Sequence, residues 1–184
     1  MSESRPPSPA RVVVGVSGSP GSHAALARAA SVARCRGAEL WPVLAWEPPG
    51  GELTARRSPG SSLLIPEWER MARQRLLDAL AAVFGGTAGG PPGQAILVRG
   101  PSGPALLRVA DRESDLLVIG AGHRGRLRRT LRPSVSRYCV AHSVCPVLAV
   151  PPSPLEAALA AAHRRNVLRF RLDARQLDGA PSER

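Results

Sequence analysis

The most informative stretch of this chain is DLLVIGAGHRGRLRRTLRPSVSRYCVAHSVCPVLAV, residues 115–150. Its two ends, DLLVIG (115–120) and CPVLAV (145–150), are short apolar runs, typical of strands buried on both faces of a parallel sheet. SVSRYCVAHS (134–143) has the length and composition of a short helix between them. A strand, a helix and a strand in this order predict one right-handed crossover of a parallel sheet.

The same alternation fills the N-terminal part of the chain. Further strands are predicted at 11–16, 38–46 and 94–99, and further helices at 23–37, 67–84 and 100–114. Gly37 is predicted to end the first helix and Ser102 to cap the third. The Pro/Gly/Ser-rich connection 47–66 is interpreted as a long loop. This order predicts an α/β fold with a single doubly wound five-stranded parallel sheet and helices on both faces.

The two ends of the chain differ from this core. Residues 1–10 contain three prolines and three serines and are predicted to be a disordered tail. The C-terminal extension, 152–184, follows the α/β domain of residues 11–151. A helix is predicted at 151–165, and the alternation of apolar and charged residues over 166–179 is typical of a strand. That strand either pairs with a sheet edge, its own or a partner subunit's, or is an arm on the surface.

Composition indicates a cytoplasmic protein without a metal site. Apolar residues make up 43% of the chain, and no run approaches the roughly 20 residues of a membrane helix. The N-terminus lacks the pattern of a secretory signal. Cys35, Cys139 and Cys145 form no close pair, which suits free thiols and argues against disulfides or zinc. The four histidines are scattered, so no metal is predicted.

The charge of the chain is strongly positive. There are 25 basic residues against 14 acidic ones, net +11, and every basic residue is an arginine. The electric field of such a charge favours acidic partners, although a GC-rich coding bias would give the same net charge. Clustering is the better evidence, and five arginines crowd residues 124–132. The three tryptophans and Tyr138 are not interleaved with them, so specific nucleic-acid binding is the least favoured interpretation.

Ligands of such sheets bind beyond the carboxyl ends of the strands, where strand order reverses. Two loops are expected there, 16–22 after the first strand and 120–134 after the fourth. The candidate nucleophilic hydroxyls in and beside these loops belong to Ser17, Ser19, Ser134 and Ser136. Neither loop has an acidic residue to orient His123 or hold Mg²⁺, and Asp115 is expected at the opposite end of the sheet. The two loops therefore lack the acidic residues that a kinase or an efficient ATPase needs, and we predict that the protein is not an enzyme.

Two segments carry a resemblance to a known family. VVVGVSGSPGSHAALARAA (12–30) resembles the opening strand and loop of the universal stress protein family. DLLVIG together with PSVSRYCVAHSVCPVLAV (133–150) resembles its fourth strand, signature loop, last helix and fifth strand. The resemblance implies the strand order 3-2-1-4-5 and a homodimer formed through the fifth strand. It also implies a cleft between the first and fourth strands, where some members bind ATP and others do not.

The signature loop of the nucleotide-binding members reads G-x2-G-x9-G-[ST]. An alignment that begins at Gly120 keeps the spacing, but His123 and Pro133 take the places of the second and third glycines, before Ser134. Proline has no N–H to donate, so a phosphate would lose one backbone partner there. Proline nevertheless suits a helix start, and the helix that follows would still offer N–H groups to an anion.

The resemblance implies a set of candidate site residues. Ser17 takes the place of the family's Asp, and Val43 matches an adenine-contacting backbone position. The nucleotide candidates are Gly15, Val16, Ser17, Val43, Gly120, Ala121, Gly122, His123, Gly125, Ser134, Val135 and Ser136, with Arg124 and Arg126 as an anion clamp. Two interpretations stay open: the cleft binds ATP or another adenine nucleotide, or it is nucleotide-free. The second describes a homodimeric interaction protein, joined through the fifth strand and the C-terminal extension.

Overall fold

The computed structural model describes residues 9–57, 60–85, 93–121 and 134–151. All of them belong to one compact unit that ends at Pro151. The predicted C-terminal extension, nearly all of the predicted N-terminal tail and the arginine-rich loop lie outside the described residues. The predictions for these three segments therefore remain predictions.

The described residues form five strands and five helices. The strands are β1 (Arg11–Gly15), β2 (Glu39–Trp46), β3 (Ile96–Arg99), β4 (Leu116–Gly120) and β5 (Val147–Val150). The helices are α1 (Pro20–Arg36), α2 (Glu52–Arg57), α3 (Ser61–Phe84), α4 (Ser102–Val109) and α5 (Val135–His142). The strands pair in parallel in the order β3-β2-β1-β4-β5. The predicted fold class and strand order are confirmed.

The strands are apolar throughout because both faces of the sheet are covered. Val12 and Val14 of β1 pack with α1 and α3 on one face. Val13 points to the other face, where it packs with α4 and α5 residues such as Leu106 and Cys139. Successive side chains along a strand thus point to opposite faces and contribute to two separate apolar layers. None of the described helices is long and apolar enough to cross a membrane.

The prediction of a loop over 47–66 was wrong in part, because α2 and the first turn of α3 lie within it. Gly50 and Gly51 take positive φ values of 80° and 83°, which turns the chain immediately before α2. Glu52 then opens α2, and arginines occupy its last turn, as the helix dipole favours. Pro66 lies inside α3 close to its start, where its side chain is exposed.

The helix ends follow the sequence closely, with one correction. Ser19 caps α1, and its hydroxyl accepts a 3.3 Å hydrogen bond from the backbone N–H of Ser22. Gly37 ends this helix with a φ of 60°, as predicted. The cap of α4, however, is Pro101 and not Ser102, because the carbonyl oxygen of Pro101 already accepts from Ala105 at 3.0 Å.

A buried ion pair fixes the amino ends of β1 and β4. Arg11 and Asp115 are 5% and 2% exposed and share two hydrogen bonds of 2.9 and 2.6 Å. Arg11 also bonds Asp111 at 2.7 Å and lies 4.6 Å from the ring centre of Trp41. The hydrogen bonds that Arg11 donates to Asp115 raise the pKa of Arg11, so its guanidinium stays charged. As predicted, Asp115 lies at the end of the sheet opposite the loop that follows β4.

Candidate functional site

The candidate site lies at the carboxyl ends of β1 and β4. These strands are neighbours, with Val13 in register with Leu117 and Val14 with Val118, so the loops that follow them begin side by side. The first loop leads into α1 on one face of the sheet, whereas the second leads into α5 on the other face. This is the point of strand-order reversal at which α/β sheets bind ligands.

The loop after β1 presents two hydroxyls. Gly18 has a φ of 76°, which a residue with a side chain would adopt only with strain. This turn places the exposed Ser17 hydroxyl 3.0 Å from that of Ser19, the cap of α1. Ser17 is thus an exposed, neutral hydrogen-bonding group just beyond the carboxyl end of β1.

Gly120 is required by packing at the end of β4. A Cβ atom added to it would lie 2.8 Å from the carbonyl oxygen of Gly21, in the first turn of α1. Gly15, at the end of β1, is also confined, since a Cβ there would lie 3.0 Å from a methyl carbon of Leu106. Both glycines of the cleft therefore have a structural reason for their identity that involves no nucleotide.

The start of α5 is tied to the end of β4. The Ser136 hydroxyl donates a 3.0 Å hydrogen bond to the carbonyl oxygen of Gly120. Ala121 is fixed in turn, because its N–H donates to the carbonyl oxygen of Val150 at 2.8 Å. Ser134 takes the N-cap position of α5 in an extended conformation, but its side chain makes no capping hydrogen bond. The first N–H groups of this helix are thus not capped by a serine hydroxyl.

Val16 and Val43 are brought together, but both are buried. The N–H of Val16 donates a 2.8 Å hydrogen bond to the carbonyl oxygen of Val43. The Val43 side chain is fully enclosed in the core layer beneath α4. Its carbonyl oxygen is therefore already engaged within the sheet. The adenine contact implied for Val43 stays a prediction.

One residue near the cleft was missed from the sequence. A Cβ atom placed on Gly18 would lie 3.2 Å from the Cγ of Arg75, so this α3 side chain runs along the loop after β1. Arg75 is exposed and carries its guanidinium on a stem that contacts the loop. No local motif signals this contact, because Arg75 belongs to the polar face of an amphipathic helix.

The remaining candidates fall into two groups. Gly122, His123, Arg124, Gly125 and Arg126 lie outside the described residues, so their contacts with phosphate stay predictions. Cys139 and Cys145 are buried, and desolvation raises the pKa of the Cys139 thiol. Over the described ranges, no group of three His, Cys, Asp or Glu side chains could hold a metal ion.

The comparison with protein families decides the relationship. A model of the universal stress protein family matches residues 10–151. The chain belongs to the universal stress protein family. The match spans the whole described sheet and the two loops, 16–22 and 120–134, that follow β1 and β4.

Solved structures of universal stress proteins are similar to this chain. UspA from Lactobacillus plantarum is 21% identical with a TM-score of 0.59, covering 77% of this chain and 97% of its own. A family protein from Burkholderia pseudomallei is 23% identical with a TM-score of 0.51, covering 78% and 96%. These two likenesses show the shared Rossmann-like α/β fold. A universal stress protein in complex with cAMP is 28% identical with a TM-score of 0.49, covering 79% and 98%. No curated protein sequence matches the chain.

Proposed function

We propose that this universal stress protein is a non-catalytic, cytoplasmic stress-response protein that binds ATP or another adenine nucleotide in the cleft between β1 and β4. The observation that carries the proposal is the tie between Ser136 and Gly120. It holds the start of α5 beside the end of β4, next to the loop that presents Ser17. A helix start and a neighbouring polar loop at the strand-order reversal form a suitable anion site.

Phosphate groups would face the start of α5. The first N–H groups of a helix have no partner within the helix and carry a partial positive charge. The Ser134 hydroxyl, which caps nothing, is available as a further donor. Arg124 and Arg126 would add charge from the neighbouring loop, since guanidinium groups bind phosphate oxygens in pairs.

The chemistry of the cleft favours binding over reaction. The loops 16–22 and 120–134 contain no Asp or Glu that would hold Mg²⁺ or orient a base. Phosphoryl transfer depends on such groups for positioning and charge neutralisation. A bound nucleotide would therefore remain intact and act as a signal of the nucleotide state of the cell.

A second candidate is a nucleotide-free homodimeric interaction protein. The close approach of Gly120 to Gly21 favours it, because packing alone explains the one glycine kept at the first signature position. In both proposals the subunits pair through β5 and the C-terminal extension. Val140 and Val144, on and just after α5, are large apolar residues that are more than half exposed beside β5. Among the described residues β5 is an edge strand of the sheet, and an edge strand with apolar neighbours is a common surface for pairing.

Calorimetric titration with ATP and cAMP at physiological salt tests the proposal. We expect a saturable heat with the wild type and at least about tenfold weaker binding after S134A/R124A/R126A, because charged hydrogen bonds are lost. The matched control is R34A/R36A, which removes the same charge from the last turn of α1. If no saturable heat is observed, the proposal of nucleotide binding is wrong and the nucleotide-free interaction protein is favoured. A mass measurement in solution tests whether the protein is a dimer.

A further inference from the structure

A second concave site lies at the edge of the sheet, apart from the cleft. A cavity of about 500 Å³ opens at the carboxyl end of β3. It is lined by Glu52, Arg56, Arg99, Gly100, Pro101, Pro104 and Arg108, which belong to α2, β3 and α4 or to the turn between the last two. β2 separates this strand from β1, so the cavity shares none of the candidate nucleotide residues. Its volume is within the range of about 300–1,000 Å³ of small-molecule pockets.

The cavity carries excess positive charge. Its three arginines against one glutamate leave a formal net charge of +2. Glu52 is engaged by Arg99 through two hydrogen bonds of 2.6 and 3.0 Å, and this contact holds the pKa of Glu52 below its usual range. In the part of the chain that the structure describes, neither Arg56 nor Arg108 has a carboxylate within 4.0 Å. These two guanidinium groups therefore have no carboxylate in direct contact inside one concave surface, although Arg56 is near enough to Glu52 to lower the pKa of that carboxyl as well.

Arg99 and Arg108 are held in place before any ligand arrives. The guanidinium of Arg99 lies 5.6 Å from the ring centre of the buried Trp46. Arg108 donates a 3.2 Å hydrogen bond to the carbonyl oxygen of Arg99. Gly100 turns the chain between them with a φ of 135°, and its N–H is fixed by the carbonyl oxygen of Trp46 at 2.8 Å. Binding to groups that are already ordered costs less conformational entropy.

We propose that this cavity is a second anion site, which binds the phosphoryl group of a small phosphorylated molecule. A phosphoryl group carries a charge of about −1.5 to −2 at neutral pH, which matches the excess of the cavity. Its oxygens can accept hydrogen bonds from Arg56 and Arg108 together, whereas Glu52 keeps Arg99 occupied. A single carboxylate has fewer oxygens and half the charge, and it would leave one guanidinium unmatched.

The test is a titration with inorganic pyrophosphate at physiological salt, followed through the backbone amide resonance of Gly100. Gly100 lines the cavity, so its amide reports binding there. The wild type is expected to show a saturable shift. R56Q/R108Q should weaken binding about tenfold or more, because two charged hydrogen bonds are lost. The matched control R34Q/R36Q removes the same charge at the far end of α1 and should bind like the wild type.

A third variant gives a change in the opposite direction. Glu52→Gln removes the competing carboxylate and frees Arg99, so pyrophosphate should bind several times more tightly than in the wild type. Equal weakening in R56Q/R108Q and R34Q/R36Q would overturn the proposal, since it would show attraction to total charge only. A Gly100 resonance that does not shift would overturn it as well. Tighter, saturable binding of a glutamate-rich peptide, lost in R56Q/R108Q, would assign the cavity to an acidic protein partner instead.

Discussion

The Ser136 hydroxyl lies 3.0 Å from the carbonyl oxygen of Gly120 and joins the first turn of α5 to the last residue of β4. Gly120 in turn packs against the carbonyl oxygen of Gly21 in α1. Two helix starts, from opposite faces of the sheet, therefore meet at one strand end. The packing at the end of β4 is thus made by Gly21, Gly120 and Ser136, none of which belongs to the arginine-rich stretch 124–132.

Replacing Gly120 by alanine should destabilise the fold. The added Cβ would lie 2.8 Å from the Gly21 carbonyl oxygen, so backbone must shift, at a cost of about 1–3 kcal/mol. The matched control is Gly21→Ala, whose Cβ would meet nothing within 4 Å and which should be nearly neutral. Chemical denaturation of the two variants measures the difference, and equal stabilities would contradict the packing described here.

Removing the charge of Asp115 should be the most damaging single change at the opposite end of the sheet. Asp115→Asn leaves Arg11 buried without its main partner, which costs about 3–5 kcal/mol. Asp111→Asn removes the other partner of Arg11, but the Asp111 side chain is 61% exposed, so its loss should cost much less. Urea unfolding of both variants is the measurement. A similar decrease in the free energy of unfolding for both variants would show that the burial of the carboxylate does not determine the loss of stability.

The contact between Arg11 and Asp111 predicts a small dependence of stability on pH. The hydrogen bond from Arg11 lowers the pKa of Asp111 in the folded protein. Its contribution is therefore complete above the unfolded value of about 4 and is lost as pH falls through the lower folded pKa. Wild type and Asp111→Asn should differ at pH 7 and converge in strong acid. A difference that grows on acidification would contradict the assigned sign.

Only one of the three thiols should react in the folded protein. Cys35 is exposed, whereas Cys139 and Cys145 are buried. Desolvation also raises the pKa of the Cys139 thiol. Because the thiolate is the reactive form, an alkylating reagent at pH 7.5 should label Cys35 quickly and the other two only after denaturation. Mass spectrometry counts the labels. In Cys35→Ser, rapid labelling of the folded protein would show that the core layer beneath α5 opens.

The sheet was predictable from the sequence because each strand is an apolar run bounded by turn residues. VVVG and LLVIG can only be buried on two faces, and this requires helices above and below. α2 was missed because six residues of ordinary helix propensity are hidden among prolines and glycines. It also carries the long-range contact between Glu52 and Arg99, which no local pattern contains.

The site was only partly predictable for the same reason. Motif spacing located the two loops of the cleft, because both follow strands that end at the same edge. It assigned Gly120 to phosphate contact, whereas the structure also gives this glycine a packing partner in Gly21. Arg75 and the cavity around Arg108 arise from helices that pack beside the strand ends. Such neighbours are far apart in sequence and become visible only in three dimensions.

The most direct test of the cleft is an ATP titration at physiological salt, followed through the backbone amide resonances of the whole chain. The account predicts saturable shifts concentrated at Ser17, Ala121 and residues 134–136. The amide resonances of Arg11 and Asp115, the buried ion pair at the opposite end of the sheet, should not shift. Shifts that are absent at saturating ATP, or spread evenly over exposed arginines, would contradict it.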